Sequence, residues 1–439
     1  MRPARAAEDS QELTQTPAFL GIPYPWAVAI LACLLLMMSA ANTSTFGVFF
    51  KPIANEFGWS RTVVAGALSV RMLVMAILVT PIGYLADRYG PRAILVPCFI
   101  IIGTTNLLLA RVTEIWHLYL VQGLLIGIAL SGPFVCVLSI VGRWHKGSRG
   151  MALGIGAAGI GLTSVFFNPL SAKLIEEMGW RRASIVVGVI VLSIGIIGSL
   201  AVKAPPAPPG ESPASRNGAN RGLLSSWRSL PHLVRVPTFA GIALMILFFS
   251  AATQMMNTHF VNYATDAGIE PVVAATMMGV MGVATIAGRL VMGATSDRLG
   301  TRASIIACFV VATAGLMLVN WKLSTFMLWV AVVVFGFGQG GETPMVPGLV
   351  VEQFGTVHLA TMFGAVLTGQ FIGAALGPWV AGVLFDLTGS YSWPFALAVC
   401  FTVSAAVLAW RLRPASLATR EKLQCLFEGR GNAPQRRKS

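Results

Sequence analysis

Charge is what this chain has least of. Only 11% of its 439 residues are Asp, Glu, Lys or Arg, against about 25% in a soluble protein. Hydrophobic residues make up 55% and mean hydropathy is +0.74. Soluble domains of this total length need far more polar surface, so the surface is shared with lipid. Acids are scarcer than bases, 17 against 31. The bases sit in short turns and tails with no basic stripe or aromatic platform, which excludes a nucleic-acid binder. Cysteines are few and unpatterned: Cys33, Cys98, Cys136, Cys308 and Cys400 fall inside apolar runs, and no C-x-x-C or Cys/His spacing occurs. Disulfides and a metal site are therefore not expected. No P-loop, catalytic triad or metal constellation occurs, so neither ATP-driven transport, enzymatic activity nor a cofactor is expected. Residues 1–20 lack the apolar core of a cleavable signal peptide and read as a polar tail.

Long apolar runs are what the chain has in abundance. They cover 26–50, 62–84, 93–110, 118–141, 151–172, 183–202, 239–263, 272–295, 303–320, 325–351, 359–384 and 393–410. Each is long enough to cross a bilayer of about 30 Å. Backbone groups in hydrocarbon must be satisfied within the segment or a closed barrel, and these runs are continuous rather than alternating. An all-α membrane protein of twelve transmembrane helices follows. Residues 204–235, with Ala-Pro-Pro-Ala-Pro-Pro-Gly followed by Ser, Asn and Arg, read as a flexible linker. The expected organisation is a tail (1–20), a six-helix bundle (21–203), that linker (204–235), a second bundle (236–412) and a basic tail (413–439). Taking both tails, the linker and the even-numbered loops as one side places 22 Lys and Arg there, against 7 on the other. That side is expected to be cytoplasmic, both termini included, in a multi-pass protein of the cell inner membrane.

A polar pattern occurs twice. Gly83-Tyr-Leu-Ala-Asp87-Arg88-Tyr-Gly90-Pro-Arg92 returns as Gly293-Ala-Thr-Ser-Asp297-Arg298-Leu-Gly300-Thr-Arg302, 210 positions later (297 − 87). Each copy joins the second and third spans of a half, which predicts two pseudo-symmetric halves. The glycines allow close helix approach. The aspartates can meet helix N-termini and nearby arginines, so the two copies are expected to latch one face of a carrier without touching its substrate.

Charges inside the spans mark the candidate site, because each costs about 2.5–3.5 kcal/mol at the bilayer centre. The basic residues there are Arg71 and Arg289. Arg289 lies eight residues before Asp297, about 12 Å into the span. Its guanidinium stays charged and can offer two parallel N–H bonds to one carboxylate. Glu342, in Gly338-Gln339-Gly-Gly-Glu342-Thr343-Pro344, falls near the midplane, where it can exchange a proton. The two are expected to pair when no substrate is bound. Arg71 is a candidate for an outer vestibule, or for pairing with a polar group of helix 7 or 11. Asn42, Ser44, Asn257 and Gln370 are candidate substrate contacts, and His259 is a second proton-coupling candidate.

The repeated turns resemble the signature of the major facilitator superfamily, over essentially the whole membrane region. A narrower likeness lies in Arg143-Trp144-His145-Lys146-Gly-Ser-Arg149-Gly150-Met-Ala152-Leu-Gly154-Ile-Gly156-Ala-Ala158-Gly159-Ile-Gly161. It is similar to the loop and glycine-rich helix of monocarboxylate transporters and their oxalate/formate antiporter relatives. Phe46 through Arg61 and Phe166 through Gly179-Trp180-Arg181 fit the same branch. The resemblance implies the major facilitator fold and gives the helix-8 arginine, here Arg289, the task of gripping a substrate carboxylate. Departures are Ser44 where proton-coupled members carry lysine, Thr285 where they carry aspartate, no lysine in helix 11, and Pro23-Tyr-Pro-Trp26 before helix 1. The expected function is secondary active transport of a small organic anion, a monocarboxylate, with proton symport or anion exchange. A functional monomer in lipid is expected. Two rivals stand beside it. An exporter of drug-like or aromatic compounds on the same fold would use the methionines at 37, 38, 255, 256, 277, 278 and 281 as a deformable cavity wall. A non-transporting membrane sensor would need a signalling domain or a long ordered tail.

Overall fold

The computed structural model describes residues 18–19, 22–59, 61–145, 148–203, 235–321, 324–356 and 359–412. The linker 204–234, most of the N-terminal tail and the tail from residue 413 lie outside the described residues. Strands β1 (Ala18–Phe19) and β2 (Ile22–Pro23) form a short antiparallel pair. Everything after them is helical: α1 (Tyr24–Phe57), α2 (Arg61–Tyr89), α3 (Pro91–Leu109) and α4 (Ile115–Trp144) open the chain. A single 53-residue helix, Arg149–Ala201, follows. Gly179 breaks it with φ 80° and ψ 158°, dividing it into α5 (149–178) and α6 (180–201). The second half is α7 (Pro237–Asp266), α8 (Pro271–Leu299), α9 (Thr301–Asn320), α10 (Thr325–Phe354), α11 (Leu359–Thr388) and α12 (Ser392–Arg411). Eleven described helices are long and apolar enough to cross a membrane, and the break at Gly179 turns one of them into two spans.

Most helices outrun the apolar segments that predicted them. Proline at the first helical position starts α3, α7 and α8, where the missing N–H has no intrahelical partner to lose. The repeated motif is a helix end rather than the loop expected: Gly83 through Tyr89 and Gly293 through Leu299 are helical. Only Gly90 and Gly300, with φ 84° and 86°, turn the chain into the next helix. Pro344 and Pro347 leave α10 continuous. The glycines of α10 do not loosen it. A methyl group at Gly336 would stand 2.5 Å from the Met281 carbonyl oxygen, one at Gly338 2.5 Å from the Ala312 nitrogen, and one at Gly340 would strike the Thr285 carbonyl, so α10 lies flush between α8 and α9.

The break at Gly179 is held on the face opposite the repeated motifs. Glu56, past the end of the first apolar span, accepts the Trp180 indole N–H at 2.5 Å and pairs with Arg181. The Arg181 guanidinium lies 4.4 Å from the Trp180 ring centroid and 5.6 Å from that of Phe57. Arg181 and then Trp180, by hydrogen bonding, hold the Glu56 carboxyl below its usual range. A depressed carboxyl contributes stability above its unfolded pKa and loses it as pH falls through the folded one. Acid titration of tryptophan fluorescence should therefore show a step below the ordinary glutamate value of about 4.3. The step should vanish in Glu56→Gln; its persistence there would assign it to another group.

Candidate functional site

The two halves meet along a seam built by the repeat itself. Asp87, at the end of α2, accepts the Thr361 backbone N–H and hydroxyl, both at 2.8 Å, and the Ala360 N–H at 3.3 Å. Asp297, at the end of α8, accepts the Gly150 N–H at 2.7 Å and the Met151 N–H at 2.9 Å. Gly150 and Met151 stand 210 positions before Ala360 and Thr361, the offset that separates the aspartates. Each carboxylate thus caps the free N–H groups opening a helix of the other half, where the helix dipole favours negative charge. The glycines obey the same exchange. A methyl at Gly154 would stand 2.6 Å from the Arg289 carbonyl, and one at Gly364 would stand 2.7 Å from that of Val79. Gly83 lies against the Ala360 carbonyl, and Gly293 against that of Gly150.

Asp87 also forms an ion pair with Arg143 of α4. Arg92 and Arg302 do not join the seam. Arg92 donates to the Val202 carbonyl, and Arg302 to those of Ala409 and Trp410, so each tethers the C-terminus of the last helix in its own half. Carbonyls at a helix C-terminus attract a cation, which is why these arginines stay inside their halves. Arg88 lies over the Tyr89 ring, and Arg298 is exposed.

The seam closes towards the face carrying the motifs. Thr80 and Thr368 share a hydrogen bond of 3.0 Å between α2 and α11. Beyond it the same helix faces lose contact. Gly279 and Gly282 of α8 and Gly382 of α11 have no heavy atom within 4 Å of where a side chain would begin. Leu73, Ile77, Val165, Val283 and Ile372, on the faces leading into the seam, are exposed.

Arg289 lies just inside the closed stretch. It is 8% exposed, and one Nη donates across the seam to the Ala157 carbonyl of α5 at 3.2 Å. Its Nε is buried without a partner. Glu342, 7% exposed on α10, is the charged group within electrostatic reach of Arg289. The expected ion pair is not formed: among the described residues, no carboxylate lies within 4.0 Å of the guanidinium. A buried, half-satisfied guanidinium flanked by a carboxylate that does not neutralise it can take up an anion.

Other candidates are distributed differently. Arg71 is not in a vestibule and does not reach helix 7 or 11; it is 2% exposed and donates to Asn42 Oδ1 at 3.4 Å. Asn42 donates to Asn106 Oδ1 at 3.2 Å and is 1% exposed, which keeps this contact inside the first half, although the Arg71 Nε is also buried without a partner. The Asn42 amide oxygen stands in for part of the water that a buried guanidinium loses. Asn257 donates to Gln254 at 3.1 Å. His259 Nε2 bonds the Pro378 carbonyl at 3.0 Å, tying α7 to α11. Gln370 is half-buried, and its backbone carbonyl accepts the Ser250 hydroxyl. The Ser44 side chain lies outside the described residues. Met38, Met255, Met256, Met277 and Met281 are buried in helix packing rather than lining the opening. The sequence reading missed Ala157, Asn106, Thr361 and Gly364. Carrying the 210-residue offset over to the glycines of α5 locates Gly364; a backbone carbonyl such as that of Ala157 leaves no trace in sequence.

Comparison with known proteins places this architecture. The family model described as Major Facilitator Superfamily matches residues 32–293 and 242–424. The chain belongs to the major facilitator superfamily. Within the superfamily it resembles the monocarboxylate branch. It is 26% identical to monocarboxylate transporter 13 of Rattus norvegicus over 384 residues, covering 87% of each chain. With monocarboxylate transporter 12 of Xenopus laevis the identity is 23% over 420 residues, covering 91% of each. An uncharacterized MFS-type transporter of Escherichia coli (strain K12), YhjX, is 24% identical, covering 79% of this chain and 85% of its own. Among solved structures, the Escherichia coli fucose:proton symporter FucP superposes with a TM-score of 0.71 at 16% identity, over 89% of this chain and 98% of that one. The proton:xylose symporter XylE gives 0.71 at 12% identity, over 91% and 99%. This major facilitator protein is a multi-pass membrane transporter of a small molecule, not an enzyme.

Its seam predicts a measurable movement. In Gly154→Leu or Gly364→Leu the new side chain collides with the backbone of the opposite half and should part the two halves. Spin labels at the exposed, equivalent positions Tyr89 and Leu299 should report a longer distance by double electron–electron resonance. An unchanged distribution would mean that glycine contact does not hold this face shut.

Proposed function

We propose that this transporter carries a small organic anion, a monocarboxylate, across the cell inner membrane by alternating access, coupled to proton symport or anion exchange. In this reading the chain acts as a monomer, and the face bearing the two motifs is cytoplasmic, as its excess of basic residues suggests. The observation that carries it is Arg289, set on the seam with an unpartnered Nε and no carboxylate within 4.0 Å. A carboxylate arriving through the opening would replace the weak Ala157 contact with charge-assisted hydrogen bonds. Relatives that bear the name monocarboxylate transporter over most of both chains support the same cargo. One anionic group suits the site better than two, since the other intramembrane arginine, Arg71, is enclosed with Asn42.

Glu342 supplies the coupling. A proton on Glu342 leaves Arg289 free to bind anion, and loss of that proton offers Arg289 a competing carboxylate. The capping contacts of Asp87 and Asp297 act as the latch that must break when the seam reverses. Arg289→Ala should lower uptake of labelled short-chain monocarboxylates into proteoliposomes by at least about tenfold, the worth of a charge-assisted hydrogen bond. Glu342→Gln should flatten the pH dependence of uptake while counterflow persists. Uptake and pH dependence intact in both variants would end the carboxylate reading and leave the carrier without an assigned cargo.

A further inference from the structure

A second binding feature lies on the lipid side, away from the seam. Helices α9 and α12 pack chiefly against each other and against α7 and α10 of their own half, so their outer faces look towards the bilayer. Between them runs a groove of about 450 Å³, lined by Ile306, Val310, Ala314, Met317, Val407 and Trp410 among others. Its floor is closed by a buried hydrogen bond of 2.8 Å between Thr313 and Thr402, so no free polar group faces an apolar occupant. From Ile306 to Met317 the groove covers twelve residues of α9, about 16 Å from first to last. Half the hydrocarbon core is about 15 Å thick. The groove is therefore about as long as one leaflet is thick, and its α12 wall, which runs to Trp410 next to the last helical residue Arg411, opens it at the motif-bearing face.

The end of the groove at that face is positive. Arg302 stands four residues before Ile306, and Arg411 four after Val407, so helical periodicity places both charges at its mouth. Arg302 is spent partly on the carbonyls of Ala409 and Trp410, which fixes the two helix ends together. Arg411 is exposed, and Trp410 beside it is 67% exposed at the level where aromatic rings meet lipid headgroups. An apolar channel one leaflet deep with cations at its mouth has the shape and charge of a lipid molecule bearing a negative headgroup.

We propose that the groove between α9 and α12 seats an acyl chain of an anionic phospholipid whose headgroup phosphate is held at Arg411, with the charge of Arg302 behind it. The lipid would brace α12 against α9 on the motif-bearing face, independently of the cargo carried in the seam.

Native mass spectrometry of the full-length protein in detergent tests it, titrating phosphatidylglycerol or phosphatidylcholine of matched chains. The first phosphatidylglycerol should bind more tightly than phosphatidylcholine. Arg411→Gln should weaken phosphatidylglycerol about fivefold, the effect of one surface cation on an anionic lipid, and leave phosphatidylcholine unchanged. Ala314→Phe, an exposed lipid-facing position, should weaken both by filling the groove. Equal binding of the two lipids to the unaltered protein, or phosphatidylglycerol binding untouched by Ala314→Phe, would overturn the proposal.

Discussion

Everything in this architecture leans on one contact made twice: a carboxylate at the end of one helix accepting the free N–H groups that begin a helix of the other half. The first turn of any helix leaves four N–H groups without intrahelical partners. Away from bulk water those groups are costly, and an aspartate that receives two of them at once is held tightly in return. Because the contacts lie at one end of the bundle, they pin that end and leave the other free to splay. The glycines beside them let backbones touch, which no larger residue would permit without moving a whole helix.

The halves share a scaffold and divide the chemistry. Val79 stands where the second half has Arg289; Gly132 packs on Cys98 as Gly341 packs on Cys308, so Pro133 stands where the second half has Glu342. In the first half, Arg71, Asn42 and Asn106 form a buried polar cluster, while the equivalent positions Met281, Ala252 and Leu316 are buried and apolar. Symmetry therefore supplies the hinge, and departures from symmetry supply charge. Arg289 is the departure that falls on the seam; Arg71 falls inside a half, where it donates to the Asn42 amide oxygen. Their different environments follow from which helix face each occupies, not from any difference in residue type.

Much of this was legible from residue pattern. Twelve apolar runs, the duplicated motif and its offset pointed to the fold, because hydrocarbon permits little except helices of span length. That Asp87, Asp297 and Arg289 would stand out was legible too, since charge in such surroundings is rare. The roles of Arg92 and Arg302 were not. They lie in the motif beside the aspartates, yet they turn towards the carbonyls of their own half. Nor was the contact of His259 legible, since its Nε2 meets the Pro378 carbonyl of α11.

Composition and spacing alone determined that this chain crosses a membrane repeatedly, in two related halves, with a basic residue at an unusual depth. Those properties depend on local length, hydropathy and repetition, which a one-dimensional pattern records in full. Which side chains face each other was decided only when the helices packed. Asp297 meets Gly150 from 147 positions away, and Arg289 meets Ala157 from 132. Whether a buried charge finds a partner, a backbone carbonyl or an open seam depends on helix rotation to within a fraction of a turn. Hydropathy constrains that rotation weakly in a protein that is apolar on its lipid face and its core face alike.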